Sequence, residues 1–183
     1  EKQARFSLVM DDLIEQYQAD AVGIRCWTEW QEHMAMSVCT TLSYLNNGGF
    51  DGKQKVIPAA CEVDLGNAVT MLAMYMLGGN PSACEDWNNN YGDALDKFVA
   101  MHCGPHAKRL LDPNANLREK GKDGTYVLAL EILDNNNYGN CGTFGCLQGR
   151  RLQGPVTIGS ASIVGTGMQF YFTEGQVTED TAK

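Results

Sequence analysis

The chain has 183 residues, of which 44% are hydrophobic and 20% are charged, and its formal net charge is −8. This length and apolar content provide a buried core for one large or two small domains and exclude a disordered tail. The negative charge, with no Lys/Arg run longer than a pair such as Arg150–Arg151, predicts no nucleic-acid partner. No window approaches the roughly 18 apolar residues of a membrane span, so no membrane partner is predicted either.

Seven cysteines are scattered along the chain. Because their number is odd and their spacing is irregular, they indicate buried, reduced thiols rather than a disulfide framework. Reduced thiols are typical of the cytoplasm, which is the predicted location. The seven are Cys26, Cys39, Cys61, Cys84, Cys103, Cys141 and Cys146.

Helix-like and strand-like patterns alternate over the first 80 residues. Apolar residues at helical spacing run from Phe6 to Tyr17, a short buried strand is predicted over residues 21–26, and helical spacing returns over 30–45. An apolar run over 56–60 predicts a strand that ends at Glu62, and an amphipathic helix is predicted over 65–77. This alternation predicts a Rossmann-like β/α segment over residues 1–80. Since the first residue is not Met, the gene product is expected to begin earlier.

The second half of the chain has a different pattern. The phrase Gly78-Gly79-Asn80-Pro81 predicts the end of a helix and a domain boundary. Beyond it, strand-like segments over 98–103, 126–133, 156–164 and 168–173 predict a mainly β, barrel-like C-terminal domain over 81–183, which is expected to be incomplete. The Asn-rich phrase that begins at Asp86, which a similar phrase at Asp134 echoes, is interpreted as turn chemistry.

Two carboxylates stand at predicted element ends. Glu62 follows a strand, and Asp86 lies 24 positions later, beyond the intervening helix. One β–α connection can bring such a pair together, which suits a divalent metal ion with open positions or proton transfer from two sides. The residues alone leave open that either acid is a helix N-cap or a solvated turn residue.

The phrases around these acids resemble those of the fucose and arabinose isomerase family. The resemblance covers most of the chain. The phrases that carry it are Ala60-Cys61-Glu62-Val63-Asp64, Asp86-Trp87, the Met/Leu-rich helix after Glu62, Trp27 at a strand end, His102-Cys103-Gly104 and Gly154-Pro155-Val156-Thr157.

The resemblance implies an intramolecular oxidoreductase of carbohydrate metabolism, in particular fucose metabolism, that interconverts aldoses and ketoses through an enediol. Glu62 and Asp86 would be metal ligands and proton-transfer groups for Mn²⁺ or another divalent cation. The partners would be a monosaccharide and further copies of the chain in a homo-oligomer. Residues 1–80 would then be part of the family's middle domain.

Three further residues are predicted to contact the substrate. Trp27 and Trp87 adjoin the predicted site and could stack on a sugar ring. His102 is interpreted as a strand-end histidine that lines the cleft. The alternative is a zinc pair of His102 and His106 on one helix, which Pro105 disfavours.

The chain departs from the family in two respects. The family completes its metal site with a histidine near the C-terminus, whereas no histidine follows His106. The family also carries a further N-terminal domain. These departures predict a fragment with two of three ligands, inactive in isolation. The alternatives are a catalytically silent sugar-binding module and a structural domain whose acids cap helices.

Overall fold

A computed structural model describes residues 1–26, 29–91, 94–102, 104–111, 127–129, 146–148 and 152–178. In the first half, helices alternate with two short strands. The elements are α1 (Lys2–Tyr17), β1 (Val22–Ile24), α2 (Glu29–Met34), α3 (Cys39–Asn47), β2 (Ala59–Cys61) and α4 (Leu65–Gly78). β1 and β2 are parallel, with Val22 opposite Ala59 and Ile24 opposite Cys61. Every element predicted in residues 1–80 is present, although one of them is divided.

The divided element is the helix predicted over 30–45. It is interrupted at Ala35, whose φ of 48° is left-handed, and the backbone N–H of Met36 turns back to donate to the carbonyl of Trp30 at 3.2 Å. A residue in this conformation cannot continue a right-handed helix. The prediction of one continuous helix was therefore wrong, and the apolar spacing belongs to two helices, α2 and α3.

The hydrophobic core lies around α3. Val38, Leu42 and Leu45 are buried there and pack with Ile24 of β1 and Ala59 of β2. A helix buried on nearly all sides, as α3 is, belongs at the centre of its layer rather than at the surface. α3 therefore supports both strands of the parallel sheet.

Helix α4 has clear start and stop signals. Its N-cap is Asp64, whose carboxylate accepts from the backbone N–H of Asn67 at 2.8 Å. It ends where Gly79 adopts a left-handed conformation with φ of 69°. The end predicted from the glycine pair is confirmed.

The second half contains antiparallel strand pairs. Its strands are β3 (Asp86–Tyr91), β4 (Ala94–Met101), β5 (Val127–Ala129), β6 (Cys146–Gln148), β7 (Gly154–Val164) and β8 (Gly167–Val177), with a short 3₁₀ turn at Lys108–Leu110. β3 pairs with β4, β5 with β6, and β7 with β8. The predicted strands over 98–103, 156–164 and 168–173 correspond to β4, β7 and β8. A barrel stays a prediction.

The Asn-rich phrase at Asp86 is a strand, so its interpretation as a turn was wrong. Its residues form β3 and pair with β4 through two irregularities in register, between Trp87 and Asn89 and between Asn90 and Tyr91. Cross-strand hydrogen bonds with β4 thus outweigh the turn preference of asparagine. The similar phrase at Asp134 lies outside the described residues.

The β7–β8 hairpin packs on α4. A Cβ atom built on Gly159 of β7 would lie 2.9 Å from Cγ2 of Thr70, and one built on Gly66 of α4 would lie 3.0 Å from the carbonyl oxygen of Ala161. The first distance is shorter than real Cβ contacts and the second is tighter than most of them, so the two glycines permit this close approach. No helix in the described part of the chain is long and apolar enough to cross a membrane.

Candidate functional site

Glu62 lies at the carboxyl end of the parallel β1–β2 pair, where its side chain is exposed. Both Glu62, with φ of 58°, and Val63, with φ of 59°, have left-handed backbone conformations. The backbone N–H of Val63 donates to the carbonyl of Ile24 at 3.3 Å, and that of Asp64 donates to Cys61 at 3.0 Å. The chain thus turns sharply out of β2 and presents Glu62 to solvent.

This backbone is strained. A left-handed conformation is uncommon for any residue with a side chain, and for a β-branched residue such as Val63 it is an outlier. Residues held in this region cost about 1 to 3 kcal/mol each and cluster at functional sites. The strain at Glu62 and Val63 therefore marks this strand end as a candidate site.

Neither predicted acid caps a helix. The carboxylate of Asp64 caps α4, where it also accepts from the side-chain amide of Asn67 at 2.7 Å, and Asp86 is the first residue of β3. The helix-cap alternative therefore applies to Asp64 and not to Glu62 or Asp86, whereas the solvated-turn alternative stays open for Glu62, which is exposed in the turn after β2.

The second predicted acid faces a histidine. Oδ2 of Asp86 lies 4.0 Å from Nε2 of His102, whose side chain is 3% exposed, whereas that of Asp86 is 59% exposed. His102 directly follows β4, as predicted for a strand-end histidine. The separation of 4.0 Å is longer than a hydrogen bond, so the two groups form an ion pair only when the imidazole is protonated.

A second histidine–carboxylate pair lies next to the first. Nδ1 of His106 is 3.4 Å from Oε1 of Glu85, and both side chains are mostly buried. Residues 102 and 104–107 are not helical, so the zinc pair on one helix does not form. The consecutive acids Glu85 and Asp86 instead face different histidines.

Contacts around Cys84 bring the two acidic segments together. Burial, followed by the negative charges of Asp64 and Asp86, raises the pKa of the Cys84 thiol to about 11, although hydrogen bonds from the Cys61 backbone and the Asn67 side chain act in the opposite direction. Nδ2 of Asn67 lies 3.6 Å from the sulfur. The end of β2 and the start of β3 are therefore neighbours. A shared ion between Glu62 and Asp86 stays a prediction.

Helix α3 connects the segments of the candidate site through buried hydrogen bonds. Asn46 is 1% exposed, and its Nδ2 donates to the carbonyls of Ala59 at 2.9 Å and Pro105 at 2.8 Å. Its Oδ1 accepts from the backbone N–H of Ala59 at 2.8 Å. The hydroxyl of Ser43 donates to the carbonyl of His106 at 2.6 Å. One helix thus ties the strand that carries Glu62 to the segment that carries His106.

The aromatic predictions have different outcomes. Trp87 stacks on Phe98 with ring centroids 3.9 Å apart, and it remains 61% exposed. One face of its indole is therefore covered by the hairpin partner. Trp27 lies outside the described residues. Substrate contacts by Trp27, Trp87 and His102 stay predictions.

The donor chemistry suits a hard divalent cation, because Glu62 and Asp86 offer carboxylate oxygens. Among the residues that the structure describes, however, no group of three or more His, Cys, Asp and Glu side chains is arranged to hold a metal ion. Glu62 and Asp86 therefore match the kind of ligand that such a cation prefers, but the described residues do not supply a complete set of ligands.

Several residues of the site were missed from the sequence. The role of Asp64 as N-cap of α4 could have been predicted, because an Asp just before a helix commonly accepts a hydrogen bond from the backbone N–H three residues later. Asn46, Cys84 and Glu85 have no local signal, because their partners lie at least 13 residues away along the chain.

Curated sulfoquinovose isomerases are similar to this chain. Those of Priestia aryabhattai and Priestia megaterium are each 27% identical over 114 residues, which is 62% of this chain and 24% of theirs. That of Alkalicoccus urumqiensis is 25% identical over 107 residues, or 58% of this chain and 23% of its own. The chain matches about a quarter of the length of these relatives. No family model and no solved structure matches it.

These relatives are isomerases of a sugar, in agreement with the predicted class of enzyme. The sugar in their name is sulfoquinovose, and the more specific expectation of fucose has no support from them. They leave the metal ion and the oligomeric state untested.

Proposed function

We propose that the protein is an aldose–ketose isomerase, or part of one, that moves hydrogen between C1 and C2 of an open-chain sugar through an enediol. The observation that carries the proposal is the strained, exposed Glu62 at the carboxyl edge of the parallel strands, with the Asp86 segment beside it. Ligand sites of open α/β sheets lie at this edge. The similarity to sulfoquinovose isomerases supports the same class of reaction.

The reaction needs a base that takes the proton from one carbon and an acid that returns it to the neighbouring carbon. Glu62 and Asp86 are the groups we assign to this exchange. His102 lies beside Asp86, 4.0 Å away, where a protonated imidazole would place a positive charge next to the carboxylate. Trp87 offers an aromatic surface for the sugar beside Asp86.

We also propose that Glu62 and Asp86 bind Mn²⁺ or another divalent cation. When bound, such an ion supplies polarisation of the sugar's oxygens. A third ligand has to come from outside the described residues, since these contain no complete ligand group.

The substrate we propose is a sulfonated hexose, after the sugar in the relatives' name. Sulfoquinovose, as the name indicates, carries a sulfonate. Fucose and arabinose, which the resemblance to their isomerases implied, are the neutral substrates to compare. A cytoplasmic homo-oligomer remains part of the proposal.

The test uses the full-length protein in deuterated water. NMR measures the rate of isomerisation and the rate at which solvent deuterium replaces the hydrogen at C2. Glu62→Gln and Asp86→Asn should each lower the rate by about 10²- to 10⁴-fold, the usual contribution of a general acid or base. The control is Glu15→Gln, an exposed acid on α1. Full exchange in both site variants would refute the assignment.

A catalytically silent sugar-binding module is the second candidate. It is favoured by the incomplete set of metal ligands in the described part of the chain. Calorimetric titration separates the two functions. Sugar binding without any hydrogen exchange in the full-length protein would establish the silent module, whereas Mn²⁺-dependent exchange would establish the isomerase.

A further inference from the structure

Arg25 and Glu62 both leave the carboxyl edge of the parallel strands. Arg25 directly follows β1, Glu62 directly follows β2, and the last residues of the two strands, Ile24 and Cys61, are register partners. The hydrogen bond of 3.3 Å from the Val63 N–H to the Ile24 carbonyl keeps the two strand ends together. Paired strands lie about 4.8 Å apart, a distance that a long arginine side chain easily spans.

The guanidinium of Arg25 is accessible to a ligand. Its side chain is 65% exposed, and it forms an ion pair of 3.1 Å with Glu29 of α2. Exposed ion pairs of this kind contribute about 0 to 1 kcal/mol. An anionic ligand can therefore join Glu29 at the exposed guanidinium, whose planar fork of N–H donors suits an oxyanion.

Arg25 lies in negatively charged surroundings. Glu62 and Asp64 lie between β2 and α4, Asp86 begins the neighbouring β3, and the whole chain has a net charge of −8. Such surroundings repel an anionic sugar unless a positive group compensates. An arginine at the edge of the acidic site supplies such a charge.

We propose that Arg25 determines substrate specificity by binding the anionic group of the sugar, a monoanionic sulfonate at the end of the carbon chain remote from C1 and C2. This inference rests on the proposed isomerase function. A phosphate offers similar oxygens, but its second negative charge would be repelled more strongly by the neighbouring carboxylates. The order of preference is therefore sulfonate, then phosphate, then the neutral sugar.

The experiment measures kcat/KM of the full-length protein for sulfoquinovose, glucose 6-phosphate and glucose. The variants are Arg25→Gln, which removes the charge, and Arg25→Lys, which keeps it. The matched control is Arg5→Gln, which breaks another exposed Arg–Glu pair four residues apart, that of Arg5 on α1 with Glu1. Circular dichroism establishes that each variant is folded.

For Arg25→Gln, the ratio of kcat/KM for sulfoquinovose to that for glucose should fall about 10- to 100-fold, as expected for a lost charged hydrogen bond. Arg25→Lys should recover part of the ratio, and Arg5→Gln should keep it. A ratio unaffected by Arg25→Gln, or a wild type without preference for sulfoquinovose, would overturn the inference and leave the isomerase intact. A wild type that isomerises no sugar would overturn both.

Discussion

Glu62 and Val63 occupy left-handed backbone conformations in succession, and neither is glycine. Their conformation is held by the hydrogen bonds that return the chain to β1 and to the cap of α4. The strained turn directs Glu62 away from the core. If β2 had continued without strain, successive side chains would have pointed to alternate faces of the sheet. The two strained residues thus lower the stability of the fold, and their conformation sets the direction of the Glu62 carboxylate.

The strain at Val63 can be measured. Val63→Asn should raise the free energy of unfolding by about 1 kcal/mol, because asparagine tolerates the left-handed region and Val63 is 43% exposed, so little burial is lost. Urea denaturation gives the value.

The control for this variant is Val69→Asn on α4, where the side chain has similar exposure and right-handed backbone. That variant should gain nothing. A Val63→Asn protein no more stable than the wild type would contradict the presence of strain.

At the scale of elements, α3 positions the site although none of its side chains is assigned to the chemistry. Asn46 joins α3 to β2 and to Pro105 through three hydrogen bonds, and Ser43 adds a fourth contact to His106. Buried polar groups of this kind are costly to leave unpaired. The helix therefore fixes the distance between the Glu62 strand and the histidine segment.

Asn46→Ala should lower both stability and the isomerisation rate. Removing the amide leaves buried groups of Ala59 and Pro105 unpaired, at about 1 to 3 kcal/mol for each group. The matched control is Asn47→Ala: Asn47 is also buried and bonded, but to Gly49 and Arg109.

Both variants should be less stable in urea denaturation, and only Asn46→Ala should lose rate at a temperature where each is fully folded. An equal loss of rate in both variants would assign Asn46 a merely structural role.

At the scale of the whole molecule, the C-terminal hairpin covers α4. Gly159→Ala should lower the free energy of unfolding by about 1 to 3 kcal/mol, since the new methyl group would meet Thr70, which is buried, and the ring of Phe172. Gly167→Ala in the same hairpin is the control, because its Cβ would meet nothing closer than 3.9 Å. Equal stability of the two variants would exclude tight packing between hairpin and helix.

The molecule exposes many large apolar side chains. They include Leu8 and Tyr17 on α1, Leu77 on α4, and Ile163, Phe170 and Phe172 on the hairpin. Surfaces of this kind are typical of contacts with other domains or subunits. We expect the full-length protein to be a homo-oligomer in light scattering; a monomer that still isomerises sugar would contradict this expectation.

Local patterns were enough to predict the strands and most helices of the first 80 residues and to place both acids at element ends, but not the break between α2 and α3. These predictions rest on local signals: apolar periodicity, the Gly78–Gly79 stop and the apolar run before Glu62. Such signals can be recognised in the sequence without knowledge of the fold. Three features emerge only in the folded protein: the phrase at Asp86 is a strand, Arg25 and Glu62 leave the same sheet edge, and Asn46 links β2 to Pro105. These features depend on hydrogen bonds and packing between residues distant along the chain, which no local pattern encodes.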